Sequence, residues 1–125
     1  MARILVIEDE APIRANLSRF LKLEGHEVFE AENGQTGLEM SRQLQPDIIL
    51  CDMMMPVLDG VGVLDGLRSD PAIAKTPFIF LTAGASREQV ERGLRHGASA
   101  YVTKPFVLDD VRGLIARHLA AKTSA

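Results

Sequence analysis

The chain has one cysteine, Cys51, so it can form no internal disulfide and build no cysteine-rich zinc site. No apolar run approaches the length of a bilayer span, and the stretch before Glu8 is too short for a signal peptide. A soluble, reducing, cytoplasmic setting with no membrane association is the expectation. Basic charge is not in surplus: the net charge is −3, which argues against direct nucleic-acid binding. Internal repeats, low-complexity tracts and any sign of a second domain are also lacking. Residues 1–121 are expected to form one domain, with 122–125 as a tail or the start of a linker that fits either a complete or a truncated protein.

What is present is ordinary for a globular chain. Hydrophobic residues make up 46% of the 125 positions, too many for disorder to dominate. A chain of this length can bury roughly two-thirds of the surface it exposes when unfolded. Charge is unevenly spread: residues 1–65 hold 12 acidic and 5 basic residues, whereas residues 66–125 hold 5 and 9. The acidic half reads as a cation site, and the basic half as a partner face or simply as solvated helix surface.

Apolar runs alternate with amphipathic segments. Ile4-Leu5-Val6-Ile7, Ile48-Ile49-Leu50-Cys51 and Phe78-Ile79-Phe80-Leu81 read as strands buried on both faces. His26–Ala31 and Ala100–Thr103 read as two further strands. Pro12 suits a first helical turn, and Gly25 a helix stop. Asn33-Gly34 is turn chemistry, a third helix ends at Pro71, and Ser86 with Gln89 makes a capping box. Val90 and Leu94 are expected on the inner face of the fourth helix. Val111, Leu114, Ile115 and Leu119 mark a fifth. Five β-α units in succession predict a doubly wound parallel sheet with helices on both faces.

In such sheets ligands sit beyond the carboxyl ends of the strands. Glu8, Asp9 and Glu10 follow the first strand, Asp52 ends the third, Thr82 ends the fourth, and Lys104-Pro105 follows the fifth. Gathered carboxylates repel one another and hold protons more tightly unless a cation neutralises them. A hard divalent ion with oxygen ligands does so. A carboxylate can also attack phosphorus, and a lysine and a hydroxyl then serve the phosphoryl oxygens. Phosphoryl transfer to an aspartate fits this set best.

The acidic pair, the run Asp52-Met53-Met54-Met55-Pro56-Val57-Leu58-Asp59-Gly60, Thr82-Ala83 and Lys104-Pro105-Phe106, in this order, resemble the receiver (CheY-like) domain of bacterial two-component response regulators. The likeness covers roughly residues 3–120. It implies a flavodoxin-like (βα)5 sheet of strand order 2-1-3-4-5. It implies that Asp52 accepts a phosphoryl group from a phosphohistidine on a sensor histidine kinase or phosphotransfer protein. Mg²⁺, with Mn²⁺ as the alternative ion, would be held by Asp9, Asp52 and the Met54 carbonyl, with Glu8 helping through water. Thr82 and Lys104 would bind phosphoryl oxygens, the Lys104–Pro105 bond would be cis, and Tyr101 would turn inward when Thr82 moves. The output would be a change in the face made by the fourth helix, fifth strand and fifth helix. An effector domain or protein, or a second copy in a homodimer, would read that face. Arg87, Arg92, Arg95, Arg112 and Arg117 would help form it. The chain would catalyse its own phosphorylation and dephosphorylation without being a metabolic enzyme.

Glu8 departs from the family, which commonly has an aspartate there. Met54 and Gly84 stand where the family tunes attack by water on the phosphoaspartate. Neither side chain can orient a water, so a long-lived phosphoform is expected. Three other readings compete. A flavin carrier needs a phosphate-cradling loop after the first strand, where three acids would repel phosphate. Phosphatases with aspartyl intermediates generally carry the nucleophile after the first strand, not the third. A degenerate receiver that only docks partners would not need the full set Asp9, Asp52, Thr82 and Lys104. The methionine triplet reads as loop packing, Cys51 as a buried apolar residue, and His26, His96 and His118 as surface residues.

Overall fold

The run Ile4–Ile7 lies within β1 (Arg3–Ile7), and all four of its residues are completely buried. The computed structural model describes residues 2–83 and 86–124, with 121–124 described by backbone alone. α1 (Ala11–Leu23) carries Pro12 in its first turn, where the missing N–H leaves no helical bond unmade. Gly25 follows it at φ +89°, a left-handed conformation that glycine adopts without a Cβ clash. After β2 (Glu27–Ala31), α2 (Gly34–Leu44) is capped by Asn33, whose side chain accepts from the Thr36 N–H at 2.9 Å. β3 (Ile48–Asp52) and β4 (Phe78–Thr82) are buried at every position. Between them, α3 (Gly60–Arg68) is capped by Asp59 and stops three residues ahead of Pro71. α4 (Arg87–Arg95) opens with the Ser86–Gln89 capping box, and β5 (Ala100–Thr103) and α5 (Leu108–Ser124) complete the order.

The five strands are all parallel, in the order β2-β1-β3-β4-β5. Alternate residues feed two cores. Leu5, Ile7, Ile49, Cys51, Phe78 and Phe80 pack under α2 and α3, with Leu64 and Leu67 among their neighbours. Ile4, Val6, Ile48, Leu50, Ile79 and Leu81 pack on the other face, under Leu17 of α1 and Ile115 of α5. Both faces of the central strands are thus covered, which is why they read as unbroken apolar runs.

Two expectations need correction. The buried residue of α4 is Gly93, whereas Val90 is half-buried and Leu94 is 42% exposed. A Cβ on Gly93 would lie 2.6 Å from Phe80 Cε2, so the helix meets the sheet through its backbone and not through an apolar stripe. Arg112 does not join the α4–β5–α5 face. It turns to α1, where its guanidinium stacks 5.4 Å over the Phe20 ring and pairs with Glu24. α5 extends to Ser124, through alanines and a lysine that favour helix.

Candidate functional site

Strand order reverses at β1, so a crevice opens beyond the carboxyl ends of β1 and β3. Three carboxylates meet there. Glu8 and Asp9 follow β1 and Asp52 ends β3, with one oxygen from each within 4.8 Å of the others. Glu8 is fully buried and Asp52 is 5% exposed, while Asp9 faces solvent. The Met54 N–H donates to Asp52 Oδ1 at 3.3 Å, so the loop after β3 folds back over the aspartate.

Lys104 reaches into the crevice from the end of β5. Its Nζ lies 2.6 Å from Glu8 Oε1, 3.3 Å from Asp52 Oδ2 and 3.7 Å from Glu10 Oε2. The Lys104 N–H donates to the Thr82 carbonyl at 2.7 Å, and the Lys104–Pro105 peptide is cis. Thr82 is 3% exposed and sits one residue beyond Leu81, the in-register neighbour of Asp52. Tyr101 is 46% exposed on β5 and shares a shallow cleft with Thr82, Val90 and Leu94. Met54 is 64% exposed, Met53 is buried beside the core, and Gly84 lies outside the described residues.

Burial dominates the electrostatics. Removal from water pushes the Glu8 carboxyl up to about 7, with Asp52 adding to the rise and Lys104 opposing it. Burial also raises Asp52, while its contact with Glu8 and the ammonium of Lys104 pull against it. Asp9 is lowered: burial acts upward on it, but hydrogen bonds with Glu8 and Asp52 outweigh that. Burial likewise works against the charge on Lys104, yet Glu8 and Asp52 raise it. The crevice is short of positive charge. Among the described residues it holds one ammonium against the three clustered carboxylates.

The Lys104–Glu8 pair was not legible in the sequence, because these residues are 96 positions apart and nothing local signals that the longer acid reaches the lysine. The residues that the sequence placed at four separate strand ends do share one sheet edge. The sequence also matches the response regulator receiver domain family over residues 4–116. The chain belongs to this family. Among curated relatives, this receiver is 40% identical over 117 residues to the regulatory protein AtoC of Escherichia coli, covering 94% of this chain and 25% of that protein. It is 39% identical over 114 residues to the phosphate regulon transcriptional regulatory protein PhoB of Pseudomonas aeruginosa, covering 91% and 48%. The receiver thus spans a quarter to about half the length of these relatives. Among solved structures, it superposes on the Francisella response regulator 1452 receiver domain with a TM-score of 0.90 at 30% identity, covering 98% of this chain and 99% of that one. Chemotaxis protein CheY4 of Vibrio cholerae gives 0.89 at 30% identity, covering 94% and 98%. The fold is the CheY-like flavodoxin fold.

Proposed function

We propose that Asp52 of this receiver accepts a phosphoryl group from a phosphohistidine on a sensor histidine kinase or phosphotransfer protein. One observation carries the reading: the buried Asp52 carboxylate has Lys104 Nζ at 3.3 Å and an oxygen of each of Glu8 and Asp9 within 4.8 Å. An Asp52 oxygen attacks phosphorus. The new O–P bond forms as the P–N bond breaks, and the imidazole keeps the electron pair and takes up a proton. The Lys104 ammonium and the Thr82 hydroxyl donate to the phosphoryl oxygens.

The donor set fits a hard divalent ion: three carboxylates, each offering an oxygen within 4.8 Å of the others. Asp9, Asp52 and the Met54 carbonyl are the ligands expected for Mg²⁺ or Mn²⁺, with Glu8 supporting the ion through water. Once bound, such an ion neutralises the clustered carboxylates and the charge on the phosphoryl oxygens.

Thr82 and Tyr101 share a cleft, which supports a coupled movement in which Thr82 closes on the phosphoryl group and the Tyr101 ring follows it inward. The α4–β5–α5 face, with Arg87, Arg92, Arg95 and Arg117 exposed, then presents a changed surface to an effector or a second copy. Met54 offers a thioether that cannot orient a water, so self-dephosphorylation is slow.

Incubation with acetyl phosphate and Mg²⁺, followed by intact-mass measurement, tests this. One phosphoryl adduct that is lost in Asp52→Asn and absent in EDTA is expected. An unmodified chain with Mg²⁺ present would favour a receiver that only docks partners.

A further inference from the structure

We infer that Arg14 is a positioning residue for the metal-binding pair, holding the Glu8–Asp9 turn in place through the Glu8 main-chain carbonyl. The inference rests on the reading above, in which that pair carries Mg²⁺. α1 begins without a side-chain cap: Glu10 stands at the N-cap position but its carboxylate makes no capping bond. The turn that bears the acids therefore lacks the usual device that fixes a helix entry. Other groups fix it. The Glu8 N–H donates to the Ala31 carbonyl at 3.0 Å, which ties the turn to the end of β2. The Glu10 N–H donates to Glu8 Oε2 at 3.2 Å. That second bond occupies a carboxylate that the ion also needs. Arg14 supplies a hold that makes no demand on the carboxylate, because its Nη1 donates to the Glu8 main-chain carbonyl at 2.7 Å.

The guanidinium is placed for this task. Its side chain is only 19% exposed, and its Nε lies 3.7 Å from Glu30 Oε1 on β2. Glu30 thus balances the charge from the far side, and β2, the turn and α1 are joined at one point. Groups that orient metal ligands from behind typically change metal affinity by ~10–100-fold when removed. A surface ion pair serving stability alone would contribute only about 0–1 kcal/mol and would leave metal affinity unchanged.

The test uses Mg²⁺ alone, titrated calorimetrically into wild type, Arg14→Ala, Arg14→Lys and Glu30→Gln, with thermal melting of each. Arg14→Ala should raise the Kd for Mg²⁺ by ~10-fold, partly restored by added guanidinium ion, while Glu30→Gln stays within about 2-fold. At saturating Mg²⁺ the rate of phosphorylation by acetyl phosphate should return to near wild type, because Arg14 touches no reacting group. Arg14→Lys, which keeps a donor and the charge, should fall between and guards against a folding defect in the alanine variant. Unchanged Mg²⁺ affinity in a folded Arg14→Ala protein would overturn the inference. A wild type that binds no Mg²⁺ would instead overturn the proposed function.

Discussion

Lys104 Nζ stands closer to the fully buried Glu8 carboxylate, at 2.6 Å, than to Asp52, at 3.3 Å. In the metal-free protein this ammonium is the cation that lets the two buried carboxylates sit side by side. Lys104→Ala removes it. Removing one partner of a buried pair destabilises by about 3 kcal/mol. Urea denaturation in EDTA should show a loss of that order, and saturating Mg²⁺ should shrink the difference from wild type. Equal losses with and without Mg²⁺ would show that Lys104 does not stand in for the ion.

Glu8 makes the crevice sensitive to pH. Its carboxyl is raised from 4.5 to about 7, chiefly by burial, so the folded state holds a proton that the unfolded state releases. The stability this contributes is fully present below pH 4.5 and is lost as pH rises through about 7. Glu8→Gln keeps the neutral form at every pH. It should therefore stabilise the metal-free protein at pH 8 by on the order of 2 kcal/mol and have little effect at about pH 4. Protons also compete with the ion, so Mg²⁺ affinity should climb as pH rises through about 7. Thermal melts in EDTA and calorimetric titrations across this range read both effects.

Gly93 is where α4 meets the sheet. A methyl there would sit 2.6 Å from Phe80 Cε2 and 3.4 Å from Met53 Cε. Alanine improves helix propensity by about 1 kcal/mol, but overpacking a filled core costs about 1–3 kcal/mol. Gly93→Ala should therefore destabilise, by about 1 kcal/mol net. In a Phe80→Leu background, where the ring edge is gone, the same change should become neutral or stabilising. Chemical denaturation of the four proteins in this cycle gives the sign directly.

Val57 adopts φ +72° at the tip of the loop after β3, and the Leu58 N–H donates to the Pro56 carbonyl at 2.9 Å across it. A β-branched residue at the centre of such a γ-turn is strained by about 1–3 kcal/mol. The residue is 84% exposed, so truncation forfeits little packing. Glycine adopts this conformation freely but brings about 0.5–1 kcal/mol of extra unfolded-state entropy. Val57→Gly should still raise stability by about 1 kcal/mol, seen as a higher urea midpoint at unchanged slope. A lower midpoint would mean the loop is not strained there.

The elements that could be read from the sequence were those whose signal is local. Asn33 and Ser86 cap helices through bonds spanning three residues, so their roles follow from chain neighbours alone. Asp52, Thr82 and Lys104 were readable for a different reason: parallel strands end on one edge, so counting strand ends is enough to gather them. Val90 and Leu94 misled, because α4 is a helix whose contact residue is a glycine, and glycine leaves no apolar mark at helical spacing. Arg112 could not be assigned a direction, because its partners Glu24 and Phe20 belong to α1.

By itself, then, the sequence determined five buried or half-buried strands, the helices between them, and the carboxylate, hydroxyl and ammonium carried at their ends. These depend on periodicity, capping and chain order, which are properties of neighbouring residues. Only the tertiary structure decided that Lys104 leans on Glu8, that Arg14 holds the turn from behind, and that a glycine seats α4 on Phe80. Each of those is a distance between side chains or backbones brought together by packing, and packing is a three-dimensional fit that no one-dimensional pattern encodes.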